Sequence, residues 1–185
     1  MDNAAGYSHH NWYGFGRFDV DRAVALATDY DSTALGPQTI SVWEDNVSEE
    51  AITVPAGNEA TSSITTTVRG TLEFVRVRLD LSAPGIKEMG VRLTSPSGTT
   101  VTLFQPKTHV DTDPAGVIYL ATSALYGEST DGTWTLRLFD HEDDGLDITL
   151  NAWAIKFFYH CHCQQIVLCL GLDSSLCDLH NSRRR

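Results

Sequence analysis

Apolar and polar residues alternate with a period of two in several stretches between residues 75 and 157 of this 185-residue chain. A period of two places one face of a β-strand in a core and the other in water. The stretches cover residues 75–81, 101–103, 134–138 and 153–157. Turn signals separate them, at Pro84-Gly85, Ser97-Gly98, Pro114-Ala115-Gly116, Asp131-Gly132 and Asp144-Gly145. Short strands with regular turns and no long helix between them predict an all-β domain over residues 53–159, a jelly-roll-like β-sandwich or barrel.

The first 52 residues follow a different pattern. Asp19 is a candidate N-cap, and Val20, Ala23, Val24 and Ala27 recur at the spacing of one helical face, which predicts a short N-terminal helix. Residues 31–52 have no clear period and are predicted to form a linker, with one edge strand near residues 40–43.

One segment within the β domain predicts a hairpin. Val91 and Leu93 precede a tight polar turn, and Val101 and Leu103 follow it; the turn reads Thr94-Ser95-Pro96-Ser97-Gly98-Thr99. About thirty positions later comes a second motif, with Gly127-Glu128 and then Gly132-Thr133-Trp134-Thr135-Leu136. Together these motifs resemble the P domain, or Homo B domain, of kexin- and furin-like subtilisin-family serine endopeptidases.

Residues 1–30 resemble the end of the catalytic domain of the same proteases, where a Gly-x-Gly-x-x-Asp turn at Gly14–Asp19 enters the last helix. The resemblance implies a catalytic-domain remnant (1–30), a linker (31–52), a P domain (53–159) and an atypical Cys-containing tail (160–185). It also implies a C-terminal piece of a subtilisin/kexin-like endopeptidase, whose P domain stabilises and regulates the catalytic domain that is its partner. A secreted, extracellular or periplasmic location is implied, although we find no signal peptide within these 185 residues.

Two alternatives remain. In the first alternative, the chain is a free-standing jelly-roll module that binds carbohydrate or protein. In the second, it is a truncated product without a function of its own. Exposed aromatic side chains such as Trp12, Trp43 and Tyr126 are the candidate ligand-binding groups for the module. The triplet Asn46-Val47-Ser48 is a glycosylation sequon.

Composition narrows the possible partners. The formal net charge of −11 argues against nucleic acid, which needs a basic face, and no apolar run reaches the roughly 20 residues of a membrane-spanning helix. We therefore expect neither partner. The subtilisin Asp, His and Ser motifs are absent from these 185 residues, and Ser8, His9 and His10 are adjacent in sequence without forming a triad by that adjacency. No catalytic residue is assigned.

Two metal sites are considered. The resemblance points to calcium at Glu88, Glu128 and Asp140, because hard cations bind oxygen ligands and these residues stand at acidic positions of the P-domain motifs. The tail offers His160, Cys161, His162 and Cys163 to zinc, but a Cys-x-Cys spacing is tighter than that of usual zinc sites. The tail is therefore interpreted as incidental.

Overall fold

The structure is a computed structural model that describes residues 1–30, 38–43, 46–82, 88–107 and 116–160. It contains one helix and ten strands within these ranges. In chain order they are α1 (Val20–Thr28), β1 (Gln38–Ile40), β2 (Val47–Ser48), β3 (Ile52–Val54), β4 (Glu59–Thr66), β5 (Thr71–Ser82), β6 (Met89–Thr94), β7 (Thr100–Phe104), β8 (Gly116–Thr122), β9 (Gly132–Asp140) and β10 (Ile148–His160).

The strands form two antiparallel sheets. The larger sheet has the order β1-β10-β5-β8, and β2 and β3 also pair with β10. The smaller sheet has the order β4-β9-β6-β7. The predicted all-β, jelly-roll-like sandwich with a short N-terminal helix is confirmed. The predicted hairpin around the Ser-Pro-Ser-Gly turn is β6 and β7, in which Leu93 pairs with Val101.

The core lies between the sheets and is filled by the apolar positions of the alternating stretches. Val75, Val77 and Leu79 of β5 are fully buried. Trp134 of β9 packs against Phe157 of β10, with ring centroids 5.1 Å apart. Its indole N–H donates to the carbonyl of Thr130 at 3.0 Å, so the buried indole keeps a hydrogen-bond partner.

The segment expected to be a linker contributes more to the sheet than one edge strand. Short strands β1, β2 and β3 all pair with successive parts of β10, which is 13 residues long. Ser41 continues this pairing, because its amide donates to the carbonyl of Phe157 at 3.0 Å. Three short pieces therefore cover the backbone groups of one long strand, a non-local pairing that no local periodicity reveals. The predicted turns at Pro84-Gly85 and Pro114-Ala115 lie outside the described residues.

The two sequence motifs touch each other. Gly132 has a φ of 121°, and a Cβ placed on it would lie 2.7 Å from Cβ of Pro96. Such a separation is too short for two carbon atoms, so only glycine fits beneath the proline. The glycine of the Gly-Thr-Trp motif is therefore required by the proline of the Ser-Pro-Ser-Gly turn.

We expect Gly132→Ala to lower the free energy of unfolding by about 2 kcal/mol or more, because it adds both backbone strain and overlap with Pro96. Gly116→Ala is the matched control, since Gly116 has a φ of 128° and open space around its Cβ position. Urea unfolding of both variants measures the difference. Equal losses in the two variants would show that the contact with Pro96 is unimportant.

Candidate functional site

The N-terminal segment, residues 1–18, is fastened to one end of the sandwich through the side chain of Asn3. This side chain is buried, and its amide nitrogen donates to the carbonyls of Ala124 at 3.1 Å and Tyr126 at 2.8 Å. Its carbonyl oxygen accepts from the amides of Ala5 and Tyr7. All the hydrogen-bonding capacity of the amide group is used, so Asn3 joins a turn of its own segment to the loop after β8.

Glu128 makes the second fastening. Its carboxylate is buried, accepts a hydrogen bond from the amide of Ala4 at 2.9 Å and accepts another from the hydroxyl of Ser95. The amide of Ala4 also lies 2.9 Å from the hydroxyl oxygen of Thr99. The Ser-Pro-Ser-Gly-Thr turn and the Gly-Glu motif thus hold one backbone amide between them. We call Asn3, Ser95, Thr99 and Glu128 together the clamp.

Aromatic rings pack around the clamp. Tyr126 contacts Tyr7 edge-on, with centroids 5.1 Å apart, and Phe15 at 6.1 Å. Burial raises the pKa of the Tyr126 phenol above its ordinary value. The phenol therefore stays neutral across the physiological range, and its ring acts as packing surface for the N-terminal segment.

Helix α1 follows this segment and leaves its apolar side chains in solvent. The carboxylate of Asp19 accepts from the amide of Arg22 at 3.0 Å, which confirms the predicted N-cap. None of the nine helical residues is buried, and Val20 and Val24 are 59% and 64% exposed. Trp12, before the helix, is 86% exposed and lines a cleft of about 600 Å³ that also includes Phe74 and Phe104.

The three calcium candidates do not lie together. Glu88 and Asp140 are both buried and sit where β6 begins and β9 ends, and the carbonyl of Glu88 accepts from the amide of His141. Glu128 is bonded to Ser95, beyond the other end of β6, roughly 20 Å away at 3.3 Å per residue. Among the described residues, no three His, Cys, Asp or Glu side chains are grouped as a metal site.

Asp140 has a raised pKa. Burial is the main cause, and the nearby Asp144 and Glu142 carboxylates add to it, although amides of residues 142 and 141 donate to the Asp140 carboxylate and oppose the shift. A raised pKa means that the charged carboxylate is disfavoured in the folded protein, and a cation nearby would relieve that cost. Calcium at Glu88 and Asp140 stays a prediction.

The other candidate residues have separate surroundings. The hydroxyl of Ser8 donates to the carboxylate of Asp2, and His10 stacks on Tyr13 with centroids 5.0 Å apart. Among the described contacts Ser8 is therefore not bonded to a histidine. The ring of Trp43 packs near the ring of Tyr119, with 6.0 Å between their centroids. The zinc candidates Cys161, His162 and Cys163 lie outside the described residues.

Sequence reasoning missed Asn3 altogether and interpreted Ser95 and Thr99 only as turn residues. Nothing near Asn3 marks it, because its partners are more than 120 positions away in the chain. The burial of Glu128, which makes hydrogen-bond donors necessary, is likewise visible only in the structure.

Comparison with known proteins finds one matching family model and similar proteases. The model of the proprotein convertase P-domain matches residues 72–157. An extracellular serine protease of Aeromonas sobria is 31% identical over 154 residues, which is 75% of this chain and 24% of that protein. Protease KEX1 of Kluyveromyces lactis is 29% identical over 85% of this chain and 21% of its own length. The chain thus spans less than a quarter of either relative.

The fold has a match among solved structures. The serine protease of A. sobria, solved with its chaperone, superposes with a TM-score of 0.70 over 88% of this chain and 33% of that one, at 22% identity. This similarity supports the sandwich. In the part of the chain that the structure describes, no helix is long and apolar enough to cross a membrane.

The clamp predicts that Asn3→Ala and Glu128→Ala both release the N-terminal segment. Each leaves buried donors or acceptors without partners, which costs about 2 kcal/mol, and the double variant should lose less than the sum because both act on one segment. Hydrogen exchange at the amides of Ala4, Ala5 and Tyr7 measures the release. Glu59→Ala is the control, because Glu59 makes an exposed ion pair with Arg137. Unchanged exchange at Ala4 in the Glu128 variant would contradict the clamp.

Proposed function

We propose that this chain, whose residues 72–157 belong to the proprotein convertase P-domain family, is the accessory part of a subtilisin/kexin-like serine endopeptidase. Its role is to hold and stabilise the catalytic domain, and the chemistry of proteolysis resides outside these 185 residues. The relatives that match the chain are proteases several times its length, and they support this role.

The exposed apolar surface before the sandwich is the observation that carries the proposal. Trp12 and Phe18 are more than four-fifths exposed, and Val20, Val24 and Leu26 are each more than half exposed. A nine-residue helix with nothing buried is marginal in water by itself. An apolar surface of this kind marks a contact with another protein surface. The segment resembles the end of a catalytic domain, and the rest of that domain is the partner that we assign to it.

The clamp explains how such a contact reaches the sandwich. Asn3 and Glu128 fix the N-terminal segment to loops whose positions are set by β6, β8 and β9. A catalytic domain that ends in this segment is thereby attached to a rigid β domain by buried hydrogen bonds as well as by the chain itself. We propose that the attachment stabilises the folded catalytic domain, and that the endopeptidase is secreted or periplasmic.

The test begins with the coding sequence upstream of Met1, where we expect in-frame subtilisin-type Asp, His and Ser motifs. In that endopeptidase, Val24→Glu should lower secreted peptidase activity more than tenfold, because it places a charge in the apolar contact. Ala25→Glu is the matched control, since position 25 lies about 100° further around α1.

Two outcomes would overturn the proposal. One is an upstream region without protease motifs. The other is an equal loss of activity in the Val24 and Ala25 variants, which would show that the apolar side of α1 is not the specific contact. The first result would favour the free-standing binding module instead, and the second would place the contact with the catalytic domain elsewhere on the chain.

We also propose calcium binding by Glu88 and Asp140. Calcium should raise the melting temperature of the purified chain by several degrees relative to chelator, because it would offset the cost of the buried Asp140 charge. The gain should shrink as the pH falls through the raised pKa of Asp140, where protonation removes the ligand. Glu88→Gln and Asp140→Asn should abolish it, whereas Glu128→Gln should retain it. Identical melting in calcium and in chelator would exclude the site.

A further inference from the structure

The outer face of the larger sheet carries a group of cations, although the protein has a net charge of −11. Arg76 and Arg78 alternate on β5 with core residues, so both point away from the core. Lys156 of β10 is the direct cross-strand partner of Arg76. Like charges opposite each other destabilise a sheet, so this arrangement costs stability in the absence of an anion.

These cations have no carboxylate partner among the described residues. The guanidinium of Arg76 lies over the ring of Tyr119 at 5.4 Å, and the ammonium of Lys156 lies over the ring of Trp43 at 5.3 Å. The buried Nε of Arg78 has no hydrogen-bond partner. Two acids lie on the same face, but Asp80 accepts from Asn151, and Glu73 is bonded by Gln38 and His160.

The rings beneath the cations also form one group. The centroids of Trp43 and Tyr119 are 6.0 Å apart, and Tyr119 is 54% exposed. We call Trp43, Arg76, Arg78, Tyr119 and Lys156 the cationic aromatic face. The cations of this face attract anionic groups, and its aromatic rings offer apolar contact area.

We propose that the cationic aromatic face binds an anionic polysaccharide, one whose sugars carry carboxylate or sulfate groups. The sugar rings contact Tyr119 and Trp43, and the anionic groups contact Arg76, Arg78 and Lys156. An acidic peptide fits less well, because peptides that bind sheets pair with the backbone of an edge strand. Tyr119 lies on β8, which ends the larger sheet, but the three cations lie on β5 and β10, whose backbones are paired on both sides. None of its five residues belongs to the clamp or to helix α1.

Binding can be measured with the whole 185-residue chain by isothermal titration at about 50 mM salt, where contacts between cations and anions are strong. Polygalacturonate tests for binding of sugars that carry carboxylate groups, and dextran sulfate tests for sugars that carry sulfate groups. Neutral dextran is the uncharged comparison, and poly-L-glutamate is the acidic peptide. We expect binding to at least one anionic polysaccharide, none to neutral dextran and weaker binding to poly-L-glutamate.

Variants locate the site. Arg76→Gln and Lys156→Gln should each weaken binding about tenfold, and Tyr119→Ala should weaken it more than Tyr119→Phe. Arg92→Gln is the matched control, because Arg92 lies over the ring of Phe139 at 5.0 Å on the other sheet. Melting temperatures identify any variant that has lost its fold, and the glutamine variants keep most of the side-chain length.

Three results would overturn the proposal. The first is no binding to either anionic polysaccharide. The second is an equal loss of affinity in the Arg92→Gln control, which would indicate general attraction to polyanions. The third is binding of poly-L-glutamate as tightly as the sugars, which would indicate a surface for acidic peptides.

Discussion

The burial of one carboxylate constrains the end of the sandwich on which the rest of the proposed function depends. Glu128 is almost fully buried, and a buried charge must be supplied with donors. Its donors come from two distant segments, the hydroxyl of Ser95 and the backbone amide of Ala4. The loop before β9 and the turn between β6 and β7 are therefore fixed relative to each other, and the N-terminal segment is fixed to both. Without that segment, the carboxylate would lose the amide donor, so the sandwich and the segment before it are energetically one unit.

The same constraint explains why the motif residues occur together. Ser95 and Thr99 supply hydroxyls to the clamp, while Pro96, between them, lies against the backbone of Gly132. Trp134 follows Gly132 by two positions, and its side chain is fully buried in the core. A single path of contacts thus runs from the N-terminal segment through the turn into the core. The residues of the clamp are polar and clustered, as the residues of an active site are. Their side chains, however, hydrogen-bond to other groups of the protein.

The sequence predicted whatever depends on local periodicity. Alternation placed Val75, Leu93, Trp134 and Phe157 in the core, and the cap at Asp19 placed the start of α1. It did not predict features that join distant residues. Strands β1 to β3 are too short to show a period in the sequence. They are defined by their backbone pairing with successive parts of β10. Asn3 binds carbonyls more than 120 residues away. An acid in a motif suggests a cation, so the sequence predicts Glu128 as a metal ligand; in the structure its oxygens accept from a hydroxyl and an amide of distant segments.

The two proposed surfaces adjoin, and this constrains how they act together. Ala121 lines the cleft beside Trp12 and is also the register partner of Arg76 in the larger sheet. The same cleft is also lined by Thr102, Leu103 and Phe104 of β7, so a catalytic domain in contact with Trp12 would lie at the edge that the two sheets share, beside the cationic aromatic face. An anionic polymer bound to that face would then lie beside the catalytic domain that we propose as the partner of this chain. The cost of placing Arg76 opposite Lys156 in the free protein is consistent with a face whose charge is neutralised when it is bound.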